Sequence, residues 1–384
     1  FYDNHLSQAS YLVGCQRTGE AIIIDPVRDL TKYIEVADSE GFTITQAAET
    51  HIHADFASGI RDVAEQLNAN VYVSGEGDDE LSYRNMPEQT HFVKHQDIIH
   101  VGNIKLEVLH TPGHTPESIS FLLTDEGGGS SVPMGLFSGD FVFVGDIGRP
   151  DLLEKSVQME GSTEVSAKQM YQSIESVKDL PDYIQIWPGH GAGSPCGKAL
   201  GAVPMSTLGY EKINNWAFNV TDESKFVETL TSNQPAPPHH FAQMKKINQF
   251  GMNMYQPYDV FPSLDNARIA FDLRSKEAFH GGHTEGTINI PYNQNFINQI
   301  GWYLDYENSI DLIGDKSTVE QAAHTLQLIG FDNVAGYRLP KSEILTQSIH
   351  SVDMTGKEEY ILDVRNEEEW NNGHLDQAVN IPHG

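Results

Sequence analysis

THIHADFASG, residues 50–59, sets His51, His53 and Asp55 at alternating positions and then places Phe56 where one more ligand could stand. Imidazole and carboxylate are donors that borderline and harder transition metals accept, and sites built from them usually draw on several separated loops. Three later stretches carry the same chemistry: HTPGHTPES (110–118), LFSGDFVF (136–143) and WPGHGAGSP (187–195). The candidate pool is therefore His51, His53, Asp55, His110, His114, Asp140 and His190. Each has an ordinary reading on its own: a solitary histidine is usually a satisfied polar side chain, Gly-His-Thr-Pro a turn, and Ser-Gly-Asp a strand end. His5, His91, His95, His100, His239, His240 and His350 keep that ordinary reading. The combination of the four stretches singles out the pool.

Around these stretches, residues 1–230 read as alternating short strands and helices. YLVGC, EAIIIDP, NVYVSG, IKLEVLHTPG, SISFLLT and MGLFSGDFVFVG are expected strands, and DLTKYIEVADSEG is a helix stopped by Gly41. The histidine-rich pieces then fall at strand ends and in loops, where a rigid scaffold displays its chemistry. The prolines of TSNQPAPPHHFAQM (231–244) predict a linker over 231–254. Beyond it FDLRSKEAFHGGHTEGTINIP (271–291) and LDVRNEEEWNNGHLDQAVNIP (362–382) match without a gap at an offset of 91 residues. They predict two copies of one domain type, over 255–345 and 346–384.

At 384 residues the chain holds two or three domains by a prior of roughly 150 residues each. Its apolar runs fall short of the roughly 20 residues a membrane span needs. The net charge of −30 argues against nucleic acid, which lysine and arginine bind by releasing counterions. With only Cys15 and Cys196, no disulfide framework is available, and a cytoplasmic, reducing setting is expected. The ends, FYDNHL and NIPHG, read as limits of a fragment, with no signal peptide in view.

The order H-x-H-x-D, P-G-H-T, G-D, G-H resembles the ligand order of the metallo-β-lactamase superfamily over about the first 200 residues. The resemblance implies an α/β fold, an αββα sandwich with metal at one sheet edge. It leaves the reaction open, since the scaffold hosts thioesterases, lactamases, nucleases and oxygenases. Two-metal members run H-x-H-x-D-H, and the last histidine serves the second metal; here Phe56 stands in its place, so one metal is expected. GDFVFVGDIGRPDL (139–152) further resembles the persulfide dioxygenases, single-iron members of the superfamily. That likeness implies one Fe(II) per chain on His51, His114 and Asp140, a two-histidine, one-carboxylate set with open positions. His53, Asp55 and His190 become groups that orient ligands or bound water, or remnants that satisfy one another. Arg149, Asp151 and Lys198 are candidate substrate contacts, with Arg84 a further cation. Cys196 lies in a Gly-rich loop two residues before Lys198, whose charge would favour thiolate. It is either a small buried residue or a group that handles sulfane sulfur; Cys15 reads as structural.

Both repeats resemble the opening signature of rhodanese sulfurtransferases, D-x-R…G-H…N-I-P. The first copy has later landmarks in STVEQAAHTLQLIGFDNV (317–334), but the loop where the nucleophilic cysteine belongs reads SIDLIGDK (309–316), and no cysteine follows Cys196. That copy is expected to be a spacer, docking surface or dimer contact, and the second breaks off before its active loop. The leading expectation is an enzyme taking a small-molecule persulfide and O2 to sulfite, fused to a rhodanese that could convert sulfite to thiosulfate. It works in sulfide detoxification, without nucleic acid or membrane, as a homo-oligomer. The competitors are a zinc-dependent thioester hydrolase of glyoxalase II type and a non-catalytic sulfur-relay scaffold.

Overall fold

The computed structural model describes residues 1–77, 81–157, 161–198, 200–232, 234, 236–263, 268–340, 347–348, 361–365 and 367–382. The chain divides into one unit of Phe1–Asp259 with Ala323–Asp332 and another of Val260–Ala322 with Asn333–Gly384. Among the described residues no helix is long and apolar enough to cross a membrane.

The first unit is built on two sheets. One runs, in spatial order, Tyr11–Gly14, Glu20–Ile24, Thr43–Ala48, Asn70–Ser74 and Thr90–Val93. Its first pair is antiparallel and the others are parallel. Parallel neighbours need crossovers, and the helices Thr31–Glu40 and Ile60–Leu67 supply two of them and pack on this sheet. Thr31–Glu40 ends where Gly41 takes a left-handed φ of 74°, as its sequence predicts. The second sheet runs Ser206–Thr207, Gln185–Pro188, Gly135–Gly139, Ile119–Asp125, Ile104–His110 and Ile98–Val101.

Side-chain alternation decides which faces meet. In Ile104–His110, Leu106 and Val108 are buried while Lys105 and Glu107 pair at 3.1 Å on the other face. Leu106, Val108, Phe121 and Phe137 pack with Ile22, Ile24 and Ala48 of the first sheet, forming the core between the sheets. The opposite face of the second sheet offers Leu122, Leu136 and Ile186 to Met170, Ile174 and Phe226 of the flanking helices. The result is the expected αββα sandwich.

Pairing direction then places the chemistry. Strands Ile104–His110 and Gly135–Gly139 both run antiparallel to Ile119–Asp125, and Gly135–Gly139 is parallel to Gln185–Pro188. The ends that lead to His114, Asp140 and His190 therefore lie along one edge.

The expected linker is corrected. Residues 240–250, placed within 231–254, form the helix His240–Phe250, with His240, Phe241, Met244, Lys245, Ile247 and Asn248 buried. It belongs to the first unit, which continues to Asp259 rather than ending at 230. The proline-rich approach hides it, and half of its buried face is polar, so no apolar stripe announces it.

The second unit contains a parallel sheet ordered Ile288–Asn289, Ala270–Asp272, Ile310–Ile313 and Val334–Arg338. The repeat has a physical cause. Arg274 donates from Nε and Nη2 to Asp272 and from Nη2 to the Gly282 carbonyl, while Asn289 Nδ2 donates to the Asp272 and Arg274 carbonyls, both at 2.9 Å. Arg365 and Asn380 make the same bonds to Asp363, Gly373 and the Asp363 and Arg365 carbonyls. The strands pair in the same register, Asp272 with Asn289 and Asp363 with Asn380. The boundary expected at 345/346 falls outside the described residues.

Candidate metal centre

Three histidines of the pool, His51, His114 and His190, have their tautomers set by what Nδ1 meets. Thr50 Oγ1 donates to Asp25 Oδ2 at 2.9 Å, so at 3.0 Å from His51 Nδ1 it can only accept. His51 therefore carries its proton on Nδ1. His114 Nδ1 meets the Arg149 carbonyl and His190 Nδ1 the Ser7 carbonyl, each at 2.9 Å, which fixes the same tautomer. His53 is reversed: Nε2 lies 3.2 Å from Asp25 Oδ1. The remaining nitrogens, Nε2 of His51, His114 and His190 and Nδ1 of His53, are buried without a hydrogen-bond partner.

The Nε2 atoms of His51, His114 and His190 converge on carboxylates. His114 Nε2 is 3.4 Å and His51 Nε2 3.8 Å from Asp140 Oδ2, while His190 Nε2 is 3.4 Å from Asp140 Oδ1 and 3.2 Å from Asp55 Oδ2. Burial pushes His51 and His114 well below the usual histidine range, toward the neutral form that ligates, and raises Asp140 to about 6. Neutral nitrogens facing carboxylate oxygens with no proton between them are costly in a dry interior. A divalent cation at their centre removes that cost. Donors about 2.0–2.2 Å from a shared ion lie roughly 3–3.5 Å apart, close to the spacing of His114 and Asp140. The residues fit a metal.

Two donor groups result, His51–His114–Asp140 and Asp55–His190–Cys196, and the donor atoms in each lie within 4.8 Å of one another. The first is the set the sequence resemblance implies. The second joins Asp55 and His190 to a cysteine that spacing alone could not place beside them. Phe56, fully buried, lies against the His53 ring, with centroids 4.4 Å apart. His110 turns away, its Nε2 2.8 Å from the Pro116 carbonyl.

Close backbone packing holds this geometry. A Cβ on Gly148 would stand 1.9 Å from the Asp140 carbonyl oxygen and 3.1 Å from His114 Cβ. Only glycine lets the 148–149 segment pass close enough for the Arg149 carbonyl to hold His114. Gly139 has a φ of 52° as the chain turns toward Asp140.

The side chains expected to contact substrate are committed elsewhere. Arg149, fully buried, donates from Nε and Nη2 to the two Asp151 oxygens at 2.7 Å each and from Nη1 to the Pro195 carbonyl at 3.1 Å. The pair braces the loop before Cys196. Lys198 donates from Nζ to the carbonyls of Thr229 and Ser232, away from the donors. Cys196 is not tuned toward thiolate: burial, then Asp55 and Asp140, push its thiol well above the usual range. Accordingly Lys198→Ala should leave KM and kcat within about twofold of wild type, as for surface substitutions generally, and steady-state kinetics with any substrate the protein turns over would show it.

Residues outside the pool complete the site. Asp25 accepts from the Thr50 amide at 2.7 Å as well as from Thr50 Oγ1 and His53. Glu117 Oε1 accepts from the Ile52 amide at 2.9 Å. From the helix in the expected linker, Asn248 Nδ2 donates to the His53 and Phe56 carbonyls at 2.9 and 2.7 Å, and its Oδ1 accepts from the Ser58 amide at 2.9 Å. Lys245 Nζ donates to the Ile52 carbonyl. His240, given the ordinary reading of a satisfied polar side chain above, is buried with no hydrogen-bond partner at either ring nitrogen among the described residues, and burial pushes it down to about 4 despite the neighbouring Asp55.

Comparison with known proteins agrees with this architecture. The sequence profile of the metallo-β-lactamase superfamily matches residues 4–190. The chain is similar to a metallo-β-lactamase of known structure from Staphylococcus aureus subsp. aureus COL, at 73% identity and a TM-score of 0.85, covering 89% of this chain and 98% of that one. It is also similar to ETHE1 from Myxococcus xanthus, at 27% identity and a TM-score of 0.52, over 65% of this chain and 96% of that one. Hydroxyacylglutathione hydrolase from Dictyostelium discoideum is 29% identical over 247 residues, which are 63% of this chain and 81% of that protein.

Proposed function

The chain belongs to the metallo-β-lactamase superfamily, and from that premise we propose that it is a persulfide dioxygenase working with one Fe(II) on His51, His114 and Asp140. The observation that carries the reading is this two-histidine, one-carboxylate group with each donor lone pair turned inward. Such a set on Fe(II) supplies adjacent open positions at which a sulfur anion and O2 are brought together for oxidation. Overall a persulfide RSSH, O2 and water give RSH, sulfite and two protons, the sulfane sulfur losing the four electrons that O2 takes up.

The protein's own part is orientation and exclusion of water. The Arg149 carbonyl and Thr50 hydroxyl hold His114 and His51 with their lone pairs inward. Asp25, acting on both Thr50 and His53, ties two ligand-loop residues to one buried carboxylate. Phe56 fills with an apolar ring the position of a further histidine donor, and the Cys196 thiol stays neutral beside Asp140. No cysteine occurs in residues 197–384, so any sulfur transfer by a rhodanese-like second unit would lack its nucleophile within this sequence.

The second donor group favours a second reading, a two-zinc thioester hydrolase in which Cys196 stands in for the missing histidine. Metal analysis combined with an oxygen electrode separates the two. The dioxygenase should purify with about one iron per chain and consume O2 when a persulfide is added. Two zinc ions per chain, with thioester cleavage and no O2 uptake, would reverse the assignment.

A further inference from the structure

The helix His240–Phe250 brings one charged group to the site that neither the fold nor the donor set requires. Lys245 is 5% exposed. Its ammonium has three N–H donors, yet among the described residues its one hydrogen bond goes to the Ile52 carbonyl, and no carboxylate lies within ion-pair distance. A buried cation left this way costs several kcal/mol unless an anion reaches it. Its surroundings place that anion at the metal centre. Ile52 lies between His51 and His53; burial lowers the pKa of the ammonium, and the nearby carboxylates of Glu117, Asp140 and Asp55 oppose that and favour its charge. Lys245 in turn acts on His51 and His114. Of the nearby polar atoms, Glu117 Oε2 is also buried without a partner, but Glu117 Oε1 is engaged by the Ile52 amide.

We propose that Lys245 is an anion-binding residue of the metal centre, its unspent N–H donors receiving the charged sulfur of the substrate and the sulfite formed from it. The identity of the anion rests on the persulfide reading; the presence of an anion subsite rests on the lysine alone. A lysine suits this task because its ammonium is a compact charge with rotatable donors that a small sulfur anion can share with a metal. The helix supplies it at fixed depth, since Asn248, three residues on, is pinned to the ligand loop by three hydrogen bonds.

The test uses the full chain reconstituted with Co(II), whose visible bands report anion binding without turnover. Sulfite titrated into the wild-type protein should perturb those bands saturably. Lys245→Met should weaken sulfite binding roughly 10- to 100-fold, the range for losing a charge-assisted hydrogen bond. Lys245→Arg should stay within about tenfold of wild type by keeping the charge. Lys245→Gln, which can still bond to Ile52, serves if the methionine variant does not fold, and should lose affinity likewise. Unchanged sulfite affinity in the neutral variants, or no sulfite binding by the wild type, would overturn the proposal. If sulfite binding depends on Lys245 but persulfide produces no O2 uptake in the iron protein, the dioxygenase reading fails and the anion subsite stands. With the iron enzyme, the neutral variants should raise KM for the persulfide and the sulfite inhibition constant together, whereas loss of a mere brace would lower thermal stability with both constants unmoved.

Discussion

His114→Ala should leave a folded protein with almost no iron and with O2 uptake reduced by more than the ~100-fold that loss of a group merely supporting a metal ligand costs. His114 is fully buried, its Nδ1 proton is held by the Arg149 carbonyl, and its Nε2 lies 3.4 Å from Asp140 Oδ2 with no other partner. An alanine removes one of the three donors of the group. Emission spectrometry of the purified variant, with circular dichroism to confirm the fold, checks the result. The contrast is with the second donor group: on the one-iron reading, Asp55→Ala and His190→Ala keep most of the iron, and on the two-metal reading each loses about half of the bound metal. His114→Ala with full activity and full metal would remove the assignment of the centre altogether.

The donors were legible because each sits in a short motif whose spacing survives without knowledge of the fold. H-x-H-x-D places two of them, His51 and Asp55, within five residues, and the strand ends before His114, Asp140 and His190 can be read from alternating apolar runs. What could not be read was which donors share a centre and what stands behind them. Cys196 joins Asp55 and His190 through tertiary packing across about 140 residues of chain. Asp25 ends an apolar strand and resembles a turn residue, yet it accepts from Thr50 twice and from His53. The linker assignment failed for a related reason. Amphipathicity finds a helix whose buried face is apolar, whereas here His240, Lys245 and Asn248 are buried, and Lys245 and Asn248 bond to the backbone of the metal loop. With three polar residues among its six buried ones, this helix shows no apolar period for the sequence to reveal. The D-x-R…G-H…N-I-P repeat was legible as a repeat, and its fixed Arg and Asn are residues whose side chains hold a strand, a turn and a neighbouring strand together.

Arg149→Leu gives the second large effect, and it falls on stability rather than on substrate affinity. The guanidinium and the Asp151 carboxylate are buried together, joined by two bonds of 2.7 Å, and the guanidinium also holds the Pro195 carbonyl beside Cys196. Removing one member of such a pair leaves the other charge buried with, among the described residues, only the cation of Lys155, at 2.8 Å and 40% exposed, to meet it. The expected cost is about 3–5 kcal/mol, a fall in Tm on the order of 10 °C for a unit of this size. Arg149→Lys should recover little of it, since an ammonium cannot reproduce the two-pronged contact. The pH dependence has a definite sign. Burial alone would raise Asp151, but Arg149 and then Lys155 override it and hold the carboxyl below its usual range. A group with a depressed folded-state pKa stabilises above its unfolded value, about 3.9 for Asp, and loses that contribution as pH falls through the folded value. The unfolded value is common to both proteins, so the Tm difference should be largest at neutral pH and shrink in acid, first as the unpaired Asp151 of the variant takes up a proton and last as the wild-type carboxyl does. Calorimetry across that range, together with persulfide kinetics, separates a brace from a substrate contact: a brace lowers Tm and metal retention with KM unchanged, and a contact raises KM while Tm stays where it was.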